Sequence, residues 1–222
     1  MSYTGDVTPR GIADVRELEH LTITKYAVDP QMANNCYLLQ CRATGEQLLI
    51  DAADGAESLI QLADGELATI VTTHQHWDHH RALAELVSIT GATTVSGAPD
   101  ADAITEQTGV PIDRTVGDGD TVTVGDCELR VIAVAGHTPG SICLVYDEPG
   151  GRPHLFTGDS LFPGGVGATR GDDTAFQQLI DHVETKLFGT LPDDTWFYPG
   201  HGGDSTLGAE RASLPEWRER GW

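Results

Sequence analysis

The sequence predicts an α+β protein, a β-sandwich with helices on its outside. Short β-branched or alternating runs separated by turn residues occur in both halves, helical patterns are few, and the halves share an outline without a repeat of fixed period. At 222 residues and 39% hydrophobic, the chain suffices for one well-buried core, and residues 1–222 are read as one domain.

Residues 1–20 are polar and predict a loosely held terminus. "LTITKYAV" (21–28) alternates as a half-buried strand does, and "NCYLLQC" (35–41), "EQLLIDAA" (46–53) and "ATIVTT" (68–73) continue the series. Between them "AESLIQLA" (56–63) reads as a short helix, and Leu83, Leu86 and Val87 recur at helical spacing. Residues 121–147 read as three strands broken by Gly-containing turns, and "HLFTGDSLF" (154–162) as a strand running into a loop. Asp172 or Asp173 caps a helix whose apolar face is Phe176, Leu179, Ile180, Val183 and Leu187. "TWFYPGHGG" (195–203) is a last strand and turn, and "STLGAERA" (205–212) a terminal helix stopped before Pro215.

A formal net charge of -21 repels phosphate backbones, and no run of Lys or Arg offers a basic patch, so nucleic acid is excluded as a partner. No apolar run is long enough to span a membrane, and the N-terminus lacks a signal-peptide pattern, so a soluble cytoplasmic protein without a membrane partner is expected. The four cysteines form no CxxC pair and sit in strand-like surroundings, which predicts buried free thiols. Trp217 is expected to pack in the core or, with Trp222, to cover the site or meet a second subunit; a monomer and a homodimer are both open.

The chemistry concentrates in "TTHQHWDHH" (72–80), which holds four of the nine histidines where a strand hands over to a helix. Side chains two apart on an extended segment point the same way, so His74, His76 and Asp78 share one side. His79 joins them if the chain turns there, and one loop then serves two adjacent metals. A catalytic metal site needs further ligands and an open position. His137 in "AGHTPGS", Asp159 in "FTGDSLF" and His201 in "YPGHGG" each end a strand beside glycine, where a ligand loop would be built. His20, His80, His154 and His182 fall outside the pattern, and Trp77 is expected to pack.

"THQHWDHH", with His137, Asp159 and His201 following in order, resembles the metallo-β-lactamase superfamily over residues 20 to 210. The resemblance implies an αββα sandwich with two divalent metals, zinc first and iron or manganese as alternatives, at one edge between the sheets. It implies that His74, His76 and His137 hold one metal, that Asp78, His79 and His201 hold the other, and that Asp159 bridges them. Having His79 together with Asp159 resembles the glyoxalase II branch, which implies a hydrolase that activates water for attack on a small-molecule thioester, with Asp78 orienting the water or taking up its proton.

The chain departs from that branch in two places. Only 21 residues follow His201, which leaves no room for a C-terminal helical domain, and residues 165–171 read "GVGATRG", with Ala168 where a glutathione-contacting lysine is expected. Arg170 is the candidate substrate-binding replacement, and an acyl conjugate of glutathione or of a mycothiol-type thiol is the expected substrate. Two other readings stay open: a persulfide dioxygenase with one iron on His74 or His76, His137 and Asp159, and a non-catalytic metal-binding sensor or partner module.

Overall fold

The computed structural model of the chain describes residues 3–64 and 67–221. Its first sheet follows chain order: β1 (Asp14–Glu17), β2 (Leu21–Ala27), β3 (Asn35–Cys41), β4 (Gln47–Ile50), β5 (Leu67–Thr72), β6 (Thr93–Gly97) and β7 (Arg114–Val116). Strands β1 to β4 pair antiparallel through short turns, whereas β4 to β7 pair in parallel and need crossovers. Helices α1 (Ala56–Leu62), α2 (Leu83–Thr90) and α3 (Ala101–Thr108) supply them.

The second sheet contains β8 (Thr121–Val124), β9 (Cys127–Ala133), β10 (Ile142–Asp147) and β11 (Pro153–Gly158). A two-stranded hairpin of β12 (Leu161–Phe162) and β13 (Gly165–Val166) then precedes α4 (Asp173–His182), which runs into a π-helical turn at Val183–Phe188. The chain returns to the sheet as β14 (Trp196–Pro199) and β15 (Ser205–Thr206), giving the order β15-β14-β11-β10-β9-β8, and ends with α5 (Leu207–Glu210) and α6 (Leu214–Arg220). Asp172, of the two candidate caps, accepts from the Ala175 N–H at 3.0 Å.

Three apolar interfaces make four layers. Leu21, Ile23, Leu39, Val71, Leu129, Leu144 and Phe156 fill the space between the sheets. Leu49, Ile70, Leu59, Leu83 and Ile104 join the first sheet to α1–α3, and Val145, Leu155, Phe176, Leu179 and Trp217 join the second sheet to α4 and α6. Each such side chain taken from water contributes about 1.5–3 kcal/mol, so these interfaces carry most of the stability. The architecture is the expected αββα sandwich.

The structure corrects several local expectations. The polar lead is tied down: β1 pairs with β2 along its length, the Asp14 carboxylate accepts from the Thr4 and Gly5 N–H groups, and Tyr3 Oη donates to Asp204 at 2.7 Å. Residues 93–116, unassigned by pattern, form β6, α3 and β7. Their strands are short, and "TTVSG" is buried only where α3 and the rest of the sheet cover it. Pro215 sits in the first turn of α6, where its missing N–H costs nothing, instead of stopping the preceding helix. Trp217 is buried at 1% exposure, and Trp222 lies outside the described residues. No helix among the described residues is long and apolar enough to cross a membrane. All four cysteines are buried and free.

Candidate metal centre

Parallel pairing brings the C-terminal ends of β11 and β14 together at one pole of the sandwich, and the end of β5 faces them from the first sheet. Strand β5 delivers Thr73 and His74. The chain then tightens into a 3-10 turn at Trp77–His79, closed by the His79 N–H on the His76 carbonyl at 3.0 Å, and this turn swings His79 to the same side as His74. His137 stands on the β9–β10 connection, Asp159 follows β11 and His201 follows β14. The start of β3 closes the pole: Asn35 N–H donates to Gly200 O at 2.8 Å, and Asn34 Nδ2 donates to Asp78 Oδ2 at 3.0 Å. Gly200 is obligatory here, because a Cβ there would strike Asp159 Oδ1 and His79 Cε1.

All seven predicted ligands converge. Ligand atoms of His74, His76 and His137 lie within 4.8 Å of one another, as do those of Asp78, His79 and His201, and a third such group is His74, His79 and Asp159. His76 Nδ1 is 2.9 Å from His137 Nε2, and His79 Nε2 is 3.1 Å from His201 Nε2. Asp159 spans the two sets, with Oδ1 at 3.3 Å from His79 Nε2 and Oδ2 at 3.4 Å from His201 and 3.6 Å from His137. His80 stands outside these groups and donates to Gln75 O at 3.2 Å; His154 bonds Tyr198 Oη at 2.8 Å.

The outer hydrogen bonds set which ring nitrogen faces inward. His79 Nδ1 donates to Asp51 Oδ2, His137 Nδ1 to Ala168 O and His201 Nδ1 to Met32 O, at 2.8, 2.9 and 2.8 Å. Thr73 Oγ1 gives its proton to Asp51 Oδ2 at 2.8 Å, so it accepts from His74 Nδ1 at 3.1 Å. Four Nε2 lone pairs are thereby turned toward the centre. The buried Nε2 of His74 and Oδ1 of Asp159 have no hydrogen-bond partner.

These residues fit divalent metal. Burial pushes His74 well below the ordinary imidazole range and, with His137 beside it, takes His76 down to about 4, so these rings present bare nitrogens. Burial opposes charge on His201 too, yet the Asp159 and Asp78 carboxylates raise it to about 9, and Asp159 and Asp51 hold His79 well above its usual value against the same burial. Burial raises Asp159, but the His79, His201 and His74 rings hold it well below the carboxylate range. Bare nitrogens on His74, His76 and His137, beside carboxylates that draw positive charge onto His79 and His201, suit a divalent cation of the zinc, iron or manganese kind, which takes the place of those protons.

Sequence reasoning missed Asp51, Asp100 and Asn34. Asp51 ends a buried apolar run at a left-handed φ of 60°, and an aspartate placed there was the available signal. Asp100 is fully buried and accepts from Gln75 N, Thr138 Oγ1 and Gly140 N at 2.9, 2.6 and 2.7 Å, so one carboxylate joins the His74–His76 loop to the His137 loop. Trp77 does not pack inside: it is 53% exposed, with the Arg81 guanidinium 4.8 Å from its ring centre, because the turn that buries Asp78 and His79 directs residue 77 outward. Arg170 is exposed at a φ of 55°, and its charge acts on both His76 and His137.

Fold and site together define an αββα protein with a His/Asp-rich candidate metal centre at one pole of the sandwich. The chain belongs to the metallo-beta-lactamase superfamily, whose pattern matches residues 29–201. It is 35% identical over 171 residues to a hydroxyacylglutathione hydrolase of Rhodospirillum rubrum, an alignment covering 76% of this chain and 62% of that protein. It thus spans about three fifths of the length of that relative. Among solved structures it resembles ETHE1 from Myxococcus xanthus, with a TM-score of 0.76, 28% identity and coverage of 89% of this chain and 84% of that one. It also resembles TTHA1623, solved in a di-iron-bound form, with a TM-score of 0.68, 27% identity and coverage of 86% and 98%.

Proposed function

We propose that this protein is a dinuclear metal-dependent thioesterase acting on an acyl conjugate of a low-molecular-weight thiol. The observation that carries the reading is the junction of two complete ligand sets on one carboxylate: His74, His76 and His137 on one side of Asp159, Asp78, His79 and His201 on the other. The similarity to hydroxyacylglutathione hydrolases supports the choice of a thioester.

Two divalent cations, one held by His74, His76 and His137 and the other by Asp78, His79 and His201 with Asp159 between the sets, would supply a water of lowered pKa, about 7, and a Lewis acid for an acyl carbonyl. The chain's own groups do the rest. Asp78 is held by Asn34 at 3.0 Å with its Oδ2 3.4 Å from His201 Nε2, so it is fixed to orient an attacking water and to take up its proton. A thiolate leaves as an anion and needs no general acid, which suits a site whose imidazoles would be taken up as metal ligands. Arg170, beside His76 and His137, is the cation that would hold an anionic arm of the thiol, and it stands out in a chain of net charge -21.

The test is metal analysis of the purified protein paired with two assays, thiol release from S-lactoylglutathione and from a mycothiol thioester, and oxygen uptake on glutathione persulfide. Two metals per chain with thiol release is the expected result. One iron per chain with oxygen uptake overturns it in favour of a persulfide dioxygenase, and inactivity on all substrates with both sites loaded overturns it in favour of a binding module.

A further inference from the structure

At the pole opposite the metal centre, a surface cavity of about 500 Å³ is lined by His20, Cys41, Cys127, Arg130 and Tyr146. Strand β3 connects the two poles: Asn35 at its start is bonded to Gly200, and Cys41 at its end lies about 20 Å further on at strand rise. Cys41 belongs to the first sheet and Cys127 opens β9 of the second, so the cavity straddles the seam between the sheets.

Three observations place the two cysteines side by side. The His20 carbonyl accepts from Arg42 N at 2.9 Å and from Cys127 Sγ at 3.4 Å, so Cys127 and the residue after Cys41 share one acceptor. The β8–β9 turn lies directly on Cys41, since a Cβ on Gly125 would come within 2.8 Å of both Cys41 Cβ and Sγ. Cys41 and Cys127 also line the same cavity. Among the described residues the groups of three or more metal-ligating side chains all lie at the other pole, so this pair lacks the third ligand that a metal site would need.

We infer that Cys41 and Cys127 are an oxidation site: a small hydroperoxide converts the pair to a disulfide that joins the two sheets across this seam. Cys41 Sγ attacks the terminal peroxide oxygen, the O–O bond breaks, and water (or an alcohol) leaves, making Cys41 a sulfenic acid. Cys127 Sγ then attacks Cys41 Sγ, the S–O bond breaks and a second water leaves, so two thiols are oxidised by two electrons and one peroxide is reduced. Cys41 is suited to go first. Burial raises its thiol, but the Thr44 hydroxyl and the N–H groups of Thr44, Asp126 and Ala43 surround the sulfur and bring it down to about 7. Cys127 is pushed up to about 11 by burial and by Cys41, which casts it as the resolving partner. Cys36 and Cys143, both pushed up to about 12 by burial, lack this activation.

The experiment is treatment of the native protein with one equivalent of hydrogen peroxide, alkylation under denaturing conditions, and peptide mass mapping without reduction. The expected result is a Cys41–Cys127 cross-linked peptide lighter by two hydrogens, with Cys36 and Cys143 alkylated and the melting temperature raised. Cys127→Ser should leave a dimedone-reactive sulfenic acid at Cys41, and its rate of formation should rise with pH through about 7. Four alkylated cysteines in the treated wild-type protein, or Cys41 driven to sulfinic acid with Cys127 still free, overturns the inference. Either is read without any variant having to fold.

Discussion

Asp51 Oδ2 lies 2.8 Å from His79 Nδ1, and the same oxygen takes the Thr73 hydroxyl, so one buried carboxylate orients His79 directly and His74 through Thr73. His79 cannot rotate without breaking its bond to this carboxylate, nor His74 without breaking its bond to Thr73. Outer partners of this kind contribute about 10–100-fold in metal affinity. Asp51→Asn is expected to weaken metal binding by that factor while the far-UV circular dichroism is kept, as read by competition with a chromophoric chelator. Affinity equal to that of the wild type would show that packing alone orients the rings.

Asp100 acts on the other side of the centre, where it holds the His74–His76 loop against the His137 loop through three acceptor bonds. Asp100→Asn must turn an N–H toward either Gly140 N or Gln75 N, which leaves buried donors unpaired at a cost of about 1–3 kcal/mol. Urea denaturation should show that loss, and metal should leave the His74, His76 and His137 set first. An unchanged midpoint would refute the clamp.

The salt bridge between Lys25 and Asp204 is fully buried, with Nζ 2.6 Å from Oδ1, and Lys25 also donates to the carbonyls of Gly5 and Gly202. Asp204 in turn accepts from Tyr3 Oη and Trp196 Nε1. Removing one partner strands the other charge in the core, at about 3–5 kcal/mol. Lys25→Met should therefore destabilise by that amount, and Lys25→Met with Asp204→Asn, which keeps an acceptor for Tyr3 and Trp196, by less; a thermal-melt series in which the double variant is the worse of the two would contradict this account.

His154 gives the fold an acid limit remote from the metal ligands. Burial, with the charges of Arg16 and Arg152, lowers its folded value to about 3, whereas an unfolded chain protonates near 6.5. Between those values the unfolded state binds the extra proton. The stabilisation is complete above pH 6.5 and is lost on acidification toward pH 3, at up to about 1.4 kcal/mol per pH unit. His154→Gln, which can still bond Tyr198, should flatten the fall in urea midpoint between pH 6.5 and 4; a slope identical to that of the wild type would assign the acid lability elsewhere.

The cluster of candidate ligands was legible in the sequence because it is built locally: "THQHWDHH" packs four of them into one loop, and His137, Asp159 and His201 each end a strand beside a glycine. The αββα order was legible too, since apolar periodicity within each segment reports which face it buries. What was not legible depends on partners distant in the chain. Lys25 occupies an inward position of β2 that alternation reserves for an apolar side chain, and only Asp204, brought in by β14 and the turn after it, makes it tolerable there. The N-terminal lead and residues 93–116 become strands because neighbouring strands satisfy their backbone groups, which no window of their own residues encodes. Composition and local spacing thus picked out the candidate ligands and the layer order. Tertiary structure alone decided which nitrogen each imidazole turns inward, which carboxylates hold the rings, and that Cys41 meets Cys127, because each of these is a contact between segments that only the closed sandwich brings within a few ångströms.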